Sequence, residues 1–167
     1  MVASRGVFLS DLRDVMSNAA IAIACDHAGL ALKRELVGTL EATGFTVTDL
    51  GTHGPESVDY PDFADALAQA LREGRAERGI LICGTGIGIA IAANRHAHVR
   101  AALCHDTTTA RLSREHNDAN VLVLGARTIG IEVAKDCVAT FLHASFAGGR
   151  HAGRVAKLNR LHNAVST

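Results

Sequence analysis

The chain has 167 residues, enough for one domain with a sizeable hydrophobic core. Its 17 basic and 17 acidic residues cancel, so no basic excess indicates nucleic acid or an anionic membrane as a partner. Apolar residues make up 48% of the sequence, which excludes a disordered chain. Aromatic residues make up only 4%, a balance typical of parallel strands covered by helices.

Apolar runs that alternate with helical patterns predict the secondary structure. The strands are expected at residues 19–25, 46–50, 79–83, 100–104 and 121–125. The helices are expected at residues 30–43, 61–73, 87–94, 107–116, 129–143 and about 154–164. Short connectors between alternating strands and helices predict a three-layer α/β fold, with a five-stranded parallel sheet and helices on both faces. We expect a single domain over residues 19–167, preceded by an arm at residues 1–18 to which no role is assigned.

The four cysteines contain no C-x-x-C pair, which leaves a thioredoxin-like motif and a zinc knuckle without support. Cys25, Cys104 and Cys137 lie in apolar runs and are interpreted as small core residues. We expect no secretory signal and no membrane span, because no apolar run approaches the roughly 20 residues that cross a bilayer. Free thiols in a reducing cytoplasm are the expected setting.

Polar and reactive side chains follow the predicted strands, at the edge where parallel sheets bind ligands. They are Asp26 and His27 after the first strand, His53, Asp59 and Tyr60 after the second, Cys83 at the end of the third, His105 and Asp106 after the fourth, and Arg127 after the fifth. Each of them alone could be structural. Their shared edge predicts a functional site there.

The most specific local signal is the run Cys-Gly-Thr-Gly-Ile-Gly at residues 83–88, between a predicted strand and a predicted helix. A thiol close to a helix N-terminus is expected to favour its reactive thiolate form. The glycines at positions 84, 86 and 88 would let the backbone close around an anion or a developing oxyanion. The alternative is a tight turn that follows a buried cysteine.

Other glycine-rich motifs do not fit this run. No Gly-Lys-Ser/Thr follows, so it is not a P-loop. The G-x-G-x-G spacing after the third strand, without a suitably placed acidic residue, is not the dinucleotide-binding fingerprint. A phosphatase of the C-x5-R type needs arginine at position 89, where this chain has Ile89.

Two further segments carry candidate site residues. His116 lies near a predicted helix end, where the helix dipole favours the imidazolium. The alternative is a polar helix end with Asn117 or Asn120 in a left-handed turn.

Arg150 and Arg154 would share one face if they were helical, and paired guanidiniums suit a phosphate. The alternative here is a solvated basic turn. Asp26 and His27 could likewise be a helix N-cap and a surface imidazole.

Five motifs in order carry a resemblance: CDHAG at residues 25–29, DYP at 59–61, CGTGIG at 83–88, REHND at 114–118 and GRH at 149–151. Over about residues 21–161 the chain resembles the ribose-5-phosphate isomerase B family, which also includes galactose-6-phosphate and allose-6-phosphate isomerases. The resemblance implies a Rossmann-like fold and a cofactor-free aldose–ketose isomerase. It also implies a homodimer or homotetramer with active sites shared between subunits.

The resemblance also implies a role for each site residue. Cys83 looks like the base that moves a proton between C1 and C2 of the sugar, with the Thr85 hydroxyl beside it. His116 would help to open the furanose ring, with Asp26 near the ring oxygen. The enediolate oxygen would be bound by Asn117 and by the amides of Gly84, Gly86 and Gly88. The phosphate would be bound by Arg127, Arg150 and Arg154, together with His27 or His151. Tyr60 lies in the loop that is expected to limit the depth of the pocket. Another branch of the family carries a glutamate base where this chain has Ile87, so the chain matches the cysteine branch.

The chemistry of these residue types agrees with the resemblance. Ring opening needs a proton donor and a base near neutral pH, which histidine supplies. Carbon-proton removal then needs fixed donors around the growing enediolate. Neither a redox cofactor nor a metal is expected. The expected reaction interconverts ribose 5-phosphate and ribulose 5-phosphate. The alternatives are erythrulose 4-phosphate, allose 6-phosphate or galactose 6-phosphate as substrate, and a non-catalytic sugar-phosphate or nucleotide sensor.

Overall fold

The computed structural model describes residues 20–163, so the predicted arm at residues 1–18, Ala19 and Ala164 lie outside the described residues. Strands β1 to β5 span Ala20–Cys25, Thr46–Asp49, Arg78–Cys83, Ala101–Leu103 and Val121–Gly125. Helices α1 to α6 span Leu30–Ala42, Tyr60–Arg72, Ile87–Ala93, Thr107–Asn117, Ile131–His143 and Arg150–Asn163, and a 3-10 turn covers His27–Gly29. No helix in this part of the chain is long and apolar enough to cross a membrane.

The five strands form one parallel sheet in the order β2-β1-β3-β5-β4. Alternate side chains of the central strands point to opposite faces and build two separate cores. In β1, Ile21 and Ile23 belong to the core that includes residues of α1 and α5, whereas Ala22 and Ala24 belong to the core that includes residues of α2 and α3. The predicted three-layer, Rossmann-like α/β architecture is therefore confirmed. Cys83 lies on the α2/α3 face, at the end of β3.

Most element boundaries agree with the sequence prediction to within two residues. The exception is α6, which begins at Arg150, four residues before the predicted start at 154. Gly148 and Gly149 have positive φ angles of 62° and 54° immediately before it, a conformation that glycine adopts without strain. The segment at 150–154 is therefore the first turn of a helix, which is the condition under which Arg150 and Arg154 share one face.

The direction of α4 decides where two of the site motifs lie. The helix begins after the carboxyl end of β4, where the Asp106 side chain accepts the Thr109 amide at 2.8 Å as an N-cap. It then runs back to the amino edge of the sheet, where Asn120 accepts the Arg100 amide at 2.8 Å just before β4. The end of α4 therefore lies at the edge opposite Cys83.

A left-handed residue ends α4, but it is neither of the two predicted asparagines. Asp118 has a φ angle of 46°. Its carboxylate pairs with Arg114 at 2.9 Å and with Arg100 at 2.9 Å. These two ion pairs tie the turn to α4 on one side and to the start of β4 on the other, which accounts for aspartate at this position.

Candidate active site

The turn after β3 brings a backbone amide to the Cys83 sulfur. The Gly86 amide donates a hydrogen bond to Sγ at 3.2 Å, and Cys83 is 4% exposed. Gly86 has a φ angle of 78°, and a Cβ there would lie 2.5 Å from Leu103 Cδ1, so only glycine fits. Thr85 is exposed on the same turn, and its hydroxyl oxygen accepts the Ile87 amide at 3.3 Å. The geometry suits an anionic sulfur, because an N–H donor already points at it.

Arg127 lies over this turn. Its backbone amide donates to the Gly84 carbonyl at 2.9 Å, and the preceding amide of Ala126 donates to the Cys83 carbonyl at 2.9 Å. A Cβ added to Gly84 would lie 3.3 Å from Arg127 Nη1, so the guanidinium covers that glycine closely. The structure thus places the exposed positive charge of Arg127 beside Gly84, the residue that follows Cys83.

Asp26 and His27 lie beside the same turn, at the end of β1. The Asp26 amide donates to the Ile82 carbonyl at 3.3 Å, and Asp26 Oδ1 accepts the amides of Ala28 at 3.0 Å and Gly29 at 3.2 Å. Asp26 is therefore the predicted N-cap, here of the 3-10 turn. His27 is half-buried, and its Nδ1 accepts the Val58 amide at 3.2 Å. It is therefore not a free surface imidazole.

Tyr60 completes this group from the start of α2. Its ring packs against Gly88, where a Cβ would lie 2.6 Å from Tyr60 Cζ. The phenol is therefore close to the glycine turn, and Tyr60 remains 39% exposed. We name this group the carboxyl-edge cluster. Its members are Asp26, His27, Tyr60, Cys83, Gly84, Thr85, Gly86, Gly88 and Arg127.

The other predicted site residues meet at the opposite edge and are named the amino-edge cluster. Its members are His116, Asn117, Arg150, His151 and Arg154. The rings of His116 and His151 stack with centroids 4.2 Å apart and an angle of 8° between their planes. Arg150 Nε donates to His151 Nε2 at 3.5 Å, and Arg150 and Arg154 are exposed.

The surroundings of His151 disfavour its cationic form. Burial lowers the pKa of His151, and the nearby positive charges of His116, Arg150 and Arg154 lower it further. A neutral ring can accept from Arg150 and stack on His116 without repulsion. Two imidazoles and two guanidiniums thus form a positively charged surface that suits an anion.

Within one chain the two clusters are separated by the length of the sheet. Cys83 is paired with Gly125, and Gly79 is paired with Val121 at the other end of the same strands. Four residues at about 3.3 Å each place these ends roughly 13 Å apart. The sequence-predicted site residues therefore form two groups rather than one in a single copy of the chain.

The remaining cysteines agree with their interpretation as core residues. Cys25, Cys104 and Cys137 are at most 1% exposed. Burial raises the pKa of Cys25 to about 11 and that of Cys137 to about 12, and it also raises the pKa of Cys104. Their thiols stay protonated near neutral pH. Within residues 20–163, no group of three or more His, Cys, Asp or Glu side chains is arranged to hold a metal ion.

One buried charge near the carboxyl-edge cluster was not predicted from the sequence. Lys33 is 0% exposed, and its Nζ lies 2.7 Å from both carboxylate oxygens of Asp49. A signal was present in the sequence, because Lys33 lies three residues after Leu30 and three before Leu36. It thus interrupts the apolar face of α1.

Comparison with known proteins places this arrangement in a family. A sequence model described as Ribose/Galactose Isomerase matches residues 21–158. "Ribose-5-phosphate isomerase B" of Escherichia coli K12 is 48% identical over 141 residues, covering 84% of this chain and 95% of that protein. "D-erythrulose-4-phosphate isomerase" of Pectobacterium atrosepticum is 46% identical over 140 residues, covering 83% and 91%.

Solved structures give the same result. The ribose-5-phosphate isomerase B of Clostridium thermocellum superposes with a TM-score of 0.87 at 52% identity, covering 88% of this chain and 99% of that chain. The type B ribose 5-phosphate isomerase of Leishmania infantum superposes with a TM-score of 0.84 at 44% identity, covering 87% and 97%.

The fold, the thiol at a glycine turn and these similarities together define a sugar-phosphate isomerase, an enzyme of the intramolecular oxidoreductase class. The chain belongs to the Ribose/Galactose Isomerase family. The family assignment predicted from the five sequence motifs is therefore confirmed.

Proposed function

We propose that this protein interconverts ribose 5-phosphate and ribulose 5-phosphate, in active sites that two copies of the chain build together. The observation that carries the proposal is the division of the site residues into two clusters, one with the thiol and the glycine turn and one with imidazoles and guanidiniums. The reaction needs both sets of groups at one sugar. A second copy that presents its amino edge to the carboxyl edge of the first would supply them twice, by two-fold symmetry.

The surface beside the thiol supports an interface between copies. Ile87 is 55% exposed and Ile91 is 63% exposed. They lie four residues apart on α3 and so share one face of that helix. Large apolar side chains grouped beside a polar site are typical of protein–protein contact. In the proposed assembly this face is covered, which also excludes water from the thiol.

The first step opens the sugar ring, since the furanose hides the carbonyl group. One group must take the proton from the O1 hydroxyl, and another must deliver a proton to the ring oxygen as its bond to C1 breaks. His116 of the second copy is assigned to this proton transfer because imidazole serves as acid or base near neutral pH. Asp26 is assigned to the sugar hydroxyls at the ring, held in place by the two amides that it accepts.

The second step moves a proton between carbons. The Cys83 thiolate takes the proton from C2, a double bond forms between C1 and C2, and the carbonyl electrons move to O1. The resulting enediolate oxygen is assigned to the amides of the glycine turn and to Asn117 of the second copy. The thiol then returns the proton to C1 while the O2 hydroxyl loses its proton and becomes the ketone. The Thr85 hydroxyl is assigned to pass a proton between the two oxygens.

The phosphate is assigned to the positive groups of both clusters. Arg127 lies over Gly84 on one side, with His27 nearby, and Arg150 and Arg154 project from α6 with His151 on the other. Guanidiniums bind phosphate oxygens with two parallel hydrogen bonds each. Binding at this remote group holds the reacting carbons in place.

The choice of ribose 5-phosphate as the proposed substrate is supported by the relatives of this chain. Proteins that carry the name ribose-5-phosphate isomerase B are 48% and 52% identical to this chain. One specific observation favours a second candidate, because the D-erythrulose-4-phosphate isomerase of Pectobacterium atrosepticum is 46% identical. The two sugars differ by one carbon, so the depth of the pocket should separate them.

A kinetic panel tests this choice. We expect the highest kcat/KM for the ribose 5-phosphate and ribulose 5-phosphate pair, with four-carbon and six-carbon phosphates at least about tenfold lower because one carbon displaces the reacting atoms from the thiol. A preference for erythrulose 4-phosphate would replace the proposed substrate. Binding of sugar phosphates without turnover of any would identify a sensor instead.

Replacing Arg154 by methionine should raise KM for the sugar phosphate by about tenfold or more, with kcat changed less than threefold. The reason is that the phosphate contact is equally strong in the ground state and the transition state. Steady-state kinetics measure both constants. Lys157 gives a matched control, because it is exposed on α6 three residues after Arg154. Lys157→Met removes a charge that does not belong to the amino-edge cluster. A collapse of kcat at unchanged KM would contradict the assignment of Arg154.

A further inference from the structure

Lys33 holds the loop between β2 and α2, residues 50–59, to the core of the domain. Its Nζ donates to both oxygens of Asp49 at 2.7 Å and to the Thr52 carbonyl at 2.9 Å. An ammonium has three donors, and all three are used. A lysine is rarely buried completely, and here its contacts compensate for the lost hydration.

The start of this loop lies directly on the end of β1. The Thr52 amide donates to the Cys25 carbonyl at 3.1 Å, and the Gly51 amide donates to Asp49 Oδ1 at 3.0 Å. A Cβ at Gly51 would lie 2.6 Å from the Cys25 nitrogen and 3.0 Å from Lys33 Cδ. Lys33 thus fixes the loop against Cys25, the residue that immediately precedes Asp26.

The end of the same loop reaches His27. The Val58 amide donates to His27 Nδ1 at 3.2 Å. A backbone N–H can only donate, so Nδ1 must accept. In the neutral ring the proton then resides on Nε2, which becomes a hydrogen-bond donor.

We propose that Lys33 is a positioning residue for substrate binding. By fixing the loop at residues 50–59, Lys33 holds the Val58 amide against His27 and so keeps the imidazole proton on Nε2. The Nε2–H group then donates a hydrogen bond to the phosphate of the substrate. This inference rests on the proposed function for the identity of the anion. The link from Lys33 to the His27 tautomer rests on the hydrogen bonds alone. Lys33 itself is not expected to touch the substrate.

The tautomer is tested without substrate, by nitrogen NMR of the imidazoles in the full chain. In the wild-type protein, His27 should show a protonated Nε2 and an unprotonated Nδ1, with its signals assigned by their loss in His27→Gln. In Lys33→Met, the two tautomers should both be populated. A proton on Nδ1 in the wild type, or an unchanged tautomer in Lys33→Met, would overturn the proposal.

A matched control separates this effect from general destabilisation. Arg78 donates to the carbonyls of Phe141 and Leu142 at 3.2 Å and 2.6 Å, at the opposite edge of the sheet. Arg78→Met should lower the melting temperature and leave the His27 tautomer unchanged. If Lys33→Met does not fold, the double variant with Asp49→Leu, which removes both charges of the pair, takes its place.

Kinetics test the donor on Nε2. The amide of glutamine reaches the position of Nε2, whereas the amide of asparagine reaches only that of Nδ1. His27→Asn should raise KM by about tenfold, as expected for a lost hydrogen bond to a charged group, and His27→Gln should raise it by at least about threefold less. Lys33→Met should raise KM by about twofold, because about half of the rings keep the proton on Nε2. Equal KM in the Gln and Asn variants would refute the donor role. If the wild-type enzyme turns over no sugar phosphate, the proposed function fails, and the NMR result still decides the link between Lys33 and His27.

Discussion

Replacing Cys83 by alanine should lower kcat by about 10³-fold, within the range that a positioned acid–base group supplies. The expectation follows from the place of the sulfur, at the end of β3 with the Gly86 amide 3.2 Å away. Without the thiol, no group of the glycine turn can accept a carbon proton. The measurement is the initial rate of isomerisation, together with binding of inorganic phosphate, which should be unchanged.

A second cysteine provides the control for this variant. Cys104 lies at the end of β4 and is 1% exposed, and burial raises the pKa of its thiol. Cys104→Ala should change stability but leave kcat within about twofold, since its sulfur is in the core and away from the turn. Near-normal turnover by Cys83→Ala would remove the proposed base from the mechanism.

Mixing two inactive variants should restore activity if sites are shared between copies. Cys83→Ala damages only the carboxyl-edge cluster, and His116→Ala damages only the amino-edge cluster. In a mixed two-fold dimer, one site combines the intact cluster of each chain, and the other site carries both substitutions. With equal amounts and free exchange of subunits, about a quarter of all sites are intact by this symmetry argument. The measurement is the rate of ribose 5-phosphate isomerisation after co-refolding, relative to wild type, because this cyclic substrate needs the ring opening assigned to His116.

In the control mixture, each of the two variants carries one substitution, and both substitutions lie in the carboxyl-edge cluster. Cys83→Ala mixed with Asp26→Asn leaves every site with a damaged carboxyl-edge cluster, so no activity should return. Restoration by this pair as well would point to contamination or to an effect other than shared sites. No restoration in the first mixture, with subunit exchange demonstrated, would contradict the shared site.

The sheet and its helices could be predicted because local signals agree with the final packing. Each buried strand is a continuous apolar run, and Gly44 and Pro61 mark the end of α1 and the start of α2. The start of α6 could not be placed as well. Gly148, Gly149 and Gly153 weaken the helical pattern, and the stack of His151 on His116 supports the first turn through a contact that is distant in sequence.

The candidate site could be predicted in its members but not in its geometry. Parallel strands place their carboxyl ends together, which is why Asp26, Cys83 and Arg127 meet as expected. The separation of His116 from Cys83 depends on the return of α4 to the amino edge. The sequence pattern also did not reveal the Val58 contact to His27, because it depends on the path of a ten-residue loop over residues 50–59.

Deuterium exchange at C1 of ribulose 5-phosphate tests the central claim most directly. This ketose is acyclic, since its O5 carries the phosphate, so its exchange requires no ring opening. In D₂O, proton NMR should show loss of one C1 proton signal with the wild-type enzyme and with His116→Ala. Cys83→Ala should show no exchange above the enzyme-free rate. Exchange at the wild-type rate in Cys83→Ala would contradict the assignment of the carbon-proton transfer to that sulfur.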